Sequence, residues 1–297
     1  MRHMLLPLSA LALTACATAT PPAPLATEAV ADGVTRLRLG QFDIISIQDA
    51  TASRPNDGKT FAVGEDPAAV RAVLSAAGVP TDRLRVDANV LLVRSGDRLV
   101  MLDSGTGTAF GSPGQLPTRL RALGLSPGDV TDIVISHSHG DHLGGLLVDG
   151  RLGFPNARIH IAPAEWAFMQ GQAGQRALVD AIRGRVVLTS AGTSIAPGVR
   201  TVASPGHTPG HTLTEIGTGP RRILAVGDTV HHFVISVRKP EWTVAFDRDE
   251  AQAETARRAV LTQAAREGTI LFVPHFPAPG LGRVRAEGDG FAWVPLR

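Results

Sequence analysis

Apolar residues along this chain gather into short runs ended by glycine, proline or polar clusters, and the spacing switches between two periods. Thr35 to Leu39 and Phe42 to Ile47 alternate apolar and polar positions around Gly40, which predicts a hairpin. Residues 51–66 are polar and rich in Gly and Pro, and read as a loop. From Asp66 to Ala77 the period lengthens to that of a helix, with Asp66 as N-cap and Pro67 in the first turn. Asn89 to Val93 and Arg98 to Asp103 flank Ser95-Gly96-Asp97, a second hairpin. Leu116 to Leu123 reads as a helix, and Val130 to Ile135 as a buried strand.

The second half continues in the same style. Arg158 to Ile161 predicts a strand, and Pro163 to Met169 a helix presenting Trp166, Phe168 and Met169. Ala177 to Ile182 reads as a helix, followed by strands at Val186–Leu188, Val199–Val202, Leu213–Ile216 and Arg222–Val226. Asp249 to Arg266 is the longest helix, with Ala253, Ala256, Val260 and Ala264 on its apolar face. Ile270 to Val273 is a last strand. The body shows no repeat and no low-complexity segment.

Composition adds limits. At 297 residues with 43% hydrophobic and 19% charged residues, the chain can bury a sizeable core. Its formal charge is only +2, and arginines and acids are interspersed, with no basic block or aromatic-basic stripe, which argues against a nucleic-acid partner. Met1-Arg2-His3 followed by an apolar run to Ala12 reads as a signal segment too short to span a bilayer permanently. Leu13-Thr14-Ala15-Cys16 resembles a bacterial lipobox, so residues 1–16 are expected to be a lipoprotein signal peptide with Cys16 lipidated. The alternative is an ordinary secretory peptide that discards Cys16. The expected location is accordingly the bacterial cell envelope, with the body in the periplasm, or secretion if Cys16 is not lipidated. Membrane contact would run only through that anchor. Cys16 is the only cysteine, so no internal disulfide can form. Residues 17–33, rich in Ala, Thr and Pro, suit a disordered tether, and residues 34–297 form the expected folded domain.

The chemistry concentrates in Ser136-His137-Ser138-His139-Gly140-Asp141-His142-Leu143-Gly144-Gly145, directly after the Asp132–Ile135 strand. In extended chain His137 and His139 share a face. Once the chain turns helical, Asp141 and His142 aim at a second point nearby. Neutral imidazole and carboxylate are the natural ligands of zinc-like ions. Other polar residues also fall just past apolar strands: Asp103, His207, Asp228 and His275. If those strand ends meet at one edge, His137, His139 and His207 supply one ion, and Asp141, His142 and His275 a second. Asp228 would then bridge the two. His211 lies in the same turn as His207, and can be either a ligand or a structural histidine. His160 reads as a strand residue, and His231 and His232 as loop or pocket-wall residues.

This order of His-x-His-x-Asp-His, then His, Asp and His resembles the metallo-β-lactamase superfamily over nearly the whole body. Leu102-Asp103-Ser104-Gly105, Phe154-Pro155-Asn156-Ala157, Gly206-His207-Thr208-Pro209-Gly210-His211-Thr212, Gly227-Asp228 and Arg285-Ala286-Glu287-Gly288 are similar to the methyl parathion hydrolase branch. The resemblance implies an α/β fold, a four-layer αββα sandwich with a dinuclear centre at one edge, and the ligand roles already read from spacing. Asp103 would orient a metal-bound histidine. Trp166, Phe168 and Met169 would wall a substrate pocket, unless they pack in the core.

Two divalent ions, zinc first but also manganese, iron or cobalt, make hydrolysis natural: bridging water becomes hydroxide and attacks an ester, lactone or phosphotriester. Asp141 and Asp228 are the carboxylates of that reaction centre, and the partner is a small ester-type molecule. Zinc β-lactamases usually carry Cys or Ser where Asp228 stands, so the chain resembles them less, and β-lactam hydrolysis stands as the alternative. The Tyr that many acyl-homoserine lactonases place beside the metals is missing, because the chain has no Tyr. A shorter, glycine-rich Gln170–Gln175 departs from the parathion-hydrolase pattern, which favours a carboxylic ester or lactone. A single-iron oxygenase of the same fold would leave Asp141, His142 and His275 largely unused. A metal-binding surface lipoprotein without catalysis is the reading from outside enzymology.

Overall fold

In the computed structural model, which describes residues 25–219 and 221–296, the chain lays down one sheet in its first half and another in its second. The first half contains β1 (Thr27–Ala31), β2 (Val34–Leu39), β3 (Phe42–Pro55), α1 (Pro67–Ala76), β4 (Arg83–Ser95), β5 (Arg98–Leu102), α2 (Leu116–Ala122), β6 (Asp132–Val134) and α3 (Gly140–Leu143). A small hairpin of β7 (Leu147–Val148) and β8 (Arg151–Leu152) leads to β9 (Arg158–Ile161), α4 (Pro163–Gln170), α5 (Arg176–Ile182) and β10 (Val186–Leu188). The sheet runs β1-β2-β3-β4-β5-β6-β9-β10, antiparallel as far as β5 and parallel from β5 through β10.

The second half contributes β11 (Ser194–Ala196), β12 (Val199–Ala203), β13 (Thr212–Thr218), β14 (Arg221–Ala225), α6 (Ile235–Arg238), α7 (Glu250–Glu267), β15 (Ile270–Phe272), β16 (Leu281–Glu287) and β17 (Gly290–Pro295). These strands pair in chain order, and only β14–β15 is parallel.

Side-chain alternation explains the layering. In β4, Leu91 and Val93 face the second sheet, where Val199, Ile216, Ile223 and Phe272 meet them, while Val90 and Leu92 face outward against helices. Both faces are buried, which is why this strand reads as a continuous apolar run. Leu120 of α2, Met169 of α4 and Val179 of α5 cover the first sheet's outer face. Leu261 and Ala264 of α7 and Val237 of α6 cover the second. The result is the four-layer αββα sandwich of the metallo-β-lactamase fold.

Several elements differ from the sequence reading. Thr27–Ala31, placed in the tether, pairs antiparallel with β2, so the ordered body begins before Val34; Cys16 and the rest of residues 1–24 lie outside the described residues. Residues 51–55, read as loop, continue β3 and pair with β4. Polar side chains on an edge-facing strand hid that extension, since exposure rather than chain direction sets their pattern. Trp166 and Met169 pack into the outer core beneath the first sheet, Met169 completely buried. Phe168 lies under the Arg248 guanidinium, 5.4 Å from its ring centre.

Candidate metal centre

Each strand that delivers a polar residue ends at the same edge. β5 hands over to Asp103, whose φ of 59° turns the chain back sharply in a region aspartate tolerates better than most residues. Its carboxylate accepts from Ser136 N (2.7 Å) and Ser136 Oγ (2.8 Å) and meets His142 Nδ1 at 2.8 Å. The Ser104–Thr106 backbone then lies against Gly144 and Gly145 so closely that a Cβ on either would stand 2.1–2.2 Å from it. This approach is what the paired glycines after His142 permit. Gly227, at φ 49°, has the same role: a Cβ there would lie 2.5 Å from His211 Nε2.

The donor atoms form two groups. His137 Nε2, His139 Nδ1 and His207 Nε2 lie 3.0–3.2 Å from one another, with Asp228 Oδ2 at 3.7 Å from His137 and 3.5 Å from His207. His142 Nε2 and His275 Nε2 are 3.3 Å apart, with Asp141 Oδ2 at 3.7 and 3.5 Å from them. Asp228 Oδ1 faces this second group, at 3.3 Å from His142 and 3.1 Å from His275. Asp228 thus turns one oxygen to each group.

The arrangement fits two cations. Donors set about 2.0–2.2 Å from a tetrahedral ion stand roughly 3.3–3.6 Å apart, close to the spacings found here. Ring nitrogens facing each other at 3.0–3.2 Å repel unless a proton or cation lies between them. Asp228 Oδ1 is buried and has no hydrogen-bond partner among the described residues, a costly condition for a carboxylate oxygen.

Electrostatics point the same way. Burial disfavours charge on His275, yet Asp228 and Asp141 push it up to about 9, and Asp228, Asp141 and Asp103 likewise hold His142 well above the ordinary imidazole value. Burial also opposes ionisation of Asp228, but the surrounding imidazoles, led by His275 and His142, keep it well below the carboxylate range. The carboxylates therefore stabilise positive charge at this spot. In the first group burial dominates. It lowers His137 and His139 and brings His207 to about 4, leaving neutral rings that can act as ligands.

Hydrogen bonds from behind aim the rings. His207 Nδ1 meets Asp247 Oδ1 at 2.8 Å. Asp247 Oδ2 in turn accepts from Arg257 Nη2 at 2.7 Å. Arg257 is fully buried, and its remaining N–H groups reach the carbonyls of Thr229, Pro240 and Trp242. His275 Nδ1 donates to the Asp87 carbonyl (2.8 Å). His211 does not point into either group: its Nε2 accepts from Asp228 N (3.0 Å), and its Nδ1 faces the Ser204 carbonyl. Burial lowers His211 to about 3, which keeps the ring neutral, and the Ser204 carbonyl holds its one proton on Nδ1.

A cavity of about 440 Å³ opens over the centre. Asp141, Asp228, His139, His231 and His275 line its floor, and Phe61, Val86, Phe110 and Phe246 its walls. Trp166, Phe168 and Met169 are not among its lining residues. Phe110 stacks over the His275 ring at 6.4 Å. The loop carrying Phe110 is pinned by Asp49, a residue at a bulge in β3, whose buried carboxylate accepts from Thr106 N and Leu116 N, both at 2.6 Å. His231 is buried, its Nε2 lies 3.3 Å from Asp228 Oδ2, and neither ring nitrogen has a hydrogen-bond partner among the described residues. Phe61, Phe110, Phe246, Asp247 and Arg257 escaped the sequence reading. Only the acid-bracketed Phe246-Asp247-Arg248-Asp249 run could have hinted at one of them.

The chain belongs to the metallo-beta-lactamase superfamily, whose family model matches residues 83–275, the span from β4 to the last histidine of the centre. Among curated proteins it is 25% identical over 240 residues to one named "Probable metallo-hydrolase" from Mycobacterium bovis, covering 64% of this chain and 74% of that one. A 36-residue stretch, 12% of this chain and 13% of the other, is 62% identical to the N-acyl homoserine lactonase AiiB of Agrobacterium fabrum. Among solved structures, the dizinc quorum-quenching lactonase AidC with a bound homoserine product superposes with a TM-score of 0.83 at 28% identity, covering 89% of this chain and 97% of that chain. The hydrolase AbOPH of the same superfamily gives 0.80 at 27%, covering 89% and 98%.

Proposed function

We propose that this protein is a dinuclear-metal hydrolase acting on lactones or related carboxylic esters that carry an apolar group. The observation that carries it is Asp228, whose two oxygens each face a separate set of His and Asp donors. His137, His139 and His207 would hold one divalent ion and Asp141, His142 and His275 the other, with Asp228 shared and zinc the expected metal. Held there, two such ions lower the pKa of a water toward neutrality and polarise the electrophile's oxygen.

The chain's own residues do the rest. Asp103, Asp247 and the Asp87 carbonyl fix the tautomer and tilt of His142, His207 and His275, so the donors are set before substrate arrives. Phe61, Phe110, Phe246 and Val86 offer an apolar wall where an acyl or aryl group excludes water. His231 adds a buried polar ring on the floor. Lactone hydrolysis is supported by the likeness to a lactonase that binds a homoserine product. The resemblance of several motifs to the methyl parathion hydrolase branch is the ground for including phosphotriesters as a side activity.

The test is kcat/KM of the zinc-reconstituted protein against N-hexanoyl-homoserine lactone, an aryl ester, a phosphotriester and a cephalosporin, each repeated after chelation. Chelator-sensitive turnover is expected to be greatest on the lactone or the aryl ester and least on the cephalosporin. No turnover on any of the four with two ions bound would favour a non-catalytic metal-binding protein.

A further inference from the structure

Glu165 of α4 is completely buried, lies outside both donor groups and has no role in the reaction described above. Its carboxylate is nonetheless saturated. Oε1 accepts from Ser138 N (2.7 Å) and Ser138 Oγ (2.6 Å), and Oε2 from Thr208 Oγ1 (2.7 Å) and Gly210 N (3.0 Å). An ionised carboxylate has about four acceptor positions, and all are taken.

The partners are notable for their positions. Ser138 sits between His137 and His139, and Thr208 directly follows His207. One side chain therefore joins the loop after β6 in the first sheet to the loop after β12 in the second. Ser138 is tied on its remaining side as well, because Gln175 Nε2 donates to its carbonyl at 2.6 Å. Gly210 rests on the start of α4 so closely that a Cβ would lie 2.2 Å from Glu165 N. Asp141, His142 and His275 receive no bond from this carboxylate.

We infer that Glu165 is a positioning residue that sets the spacing of His137 and His139 against His207, and so governs cation affinity at that donor set without governing the other. The inference rests on the dinuclear reading above. Glutamine is the informative replacement. Its amide nitrogen cannot accept, so it must confront either the Ser138 donors or the Gly210 N–H, at nearly unchanged volume.

The experiment titrates zinc into chelator-treated full-length protein, wild type and Glu165→Gln, with a chromophoric competitor that resolves two binding steps. His139→Gln serves as the reference that marks the step belonging to the first set. Groups behind metal ligands typically change affinity by roughly 10–100-fold. Glu165→Gln is expected to weaken the step marked by His139→Gln by about that factor and to leave the other within about twofold. Two unchanged steps, or an equal loss in both, would overturn the inference, since a purely structural brace would not discriminate between them. If Glu165→Gln does not fold, Thr208→Val deletes a single bond and should produce the same selective loss at smaller size. A wild-type protein that binds fewer than two ions would instead overturn the dinuclear reading itself.

Discussion

Asp228 faces two donor groups with one carboxylate, and its backbone is held in place: its N–H reaches His211, and Gly227 lets that ring come close. Asp228→Asn keeps the volume but turns one oxygen into a donor. Turnover is expected to fall at least about 100-fold with loss of an ion, measured by kcat/KM beside metal content. Full turnover with both ions retained would end the bridging role. Another buried aspartate, Asp132, lies at the start of β6, away from the centre. Burial opposes its charge, but His160, Thr131 and Arg98 hold its carboxyl well below the usual range, with Arg158 adding a further contact at 3.1 Å. A depressed carboxylate stabilises the fold above its unfolded value of about 3.9 and loses that contribution as pH falls below it. Asp132→Asn should therefore cost about 1–3 kcal/mol at neutral pH, since Arg98 and Arg158 keep contact with water, and the gap in denaturant midpoints should narrow below about pH 4. The histidine-rich motif was legible because residues two apart in an extended chain must share a face. Asp247 was not, since its link to His207 spans 40 positions of chain with no periodicity to announce it.

Helix α7 shows where pattern reading falls short at the level of elements. Its predicted span was nearly right, and Asp249 caps it through Gln252 N (3.0 Å). Ala253 and Ala264 are indeed buried, but the fully buried middle of the face is Arg257 rather than Ala256 or Val260. A charged residue on a helix is ordinarily a solvent-facing one, and only the carbonyls and Asp247 gathered around it reverse that rule. Arg257→Met should retain the bulk yet leave Asp247 buried without its cation. A loss of about 3–5 kcal/mol is expected, together with weaker metal binding through His207, and a thermal melt with and without zinc would register both. Helix α4 shows the converse: of the residues open to either pocket wall or core, Trp166 and Met169 pack against the sheet and Phe168 lies under Arg248, while the residue that reaches the centre's loops is Glu165. Sequence period identifies a buried face but does not say which neighbour buries it. The hairpin of β2 and β3 was readable because alternation and Gly40 agree, while β16 and β17 lacked so clear a signal.

Across the molecule, the αββα layering came from family resemblance, whereas the meeting of strand ends at one edge could be argued from polar residues following each apolar run. The cavity walls could not, because Phe61, Phe110 and Phe246 come from three loops that converge only in space. The N-terminal pattern makes its own prediction: Cys16→Ser should move the protein from the membrane fraction to the soluble one, and continued membrane retention would discard the lipobox reading. A last consequence follows from where the donors originate. His137, His139, Asp141 and His142 belong to the first sheet's half of the chain, and His207, Asp228 and His275 to the second's. Any ion held by either group is therefore a rivet through both halves, fastened only when they are docked. Folding and metal supply then become one equilibrium: zinc at a hundred times its dissociation constant should add about 2.7 kcal/mol per site. The melting temperature should climb with free zinc even after both sites are filled, and a cell short of the metal would hold a larger unfolded fraction rather than merely an idle protein.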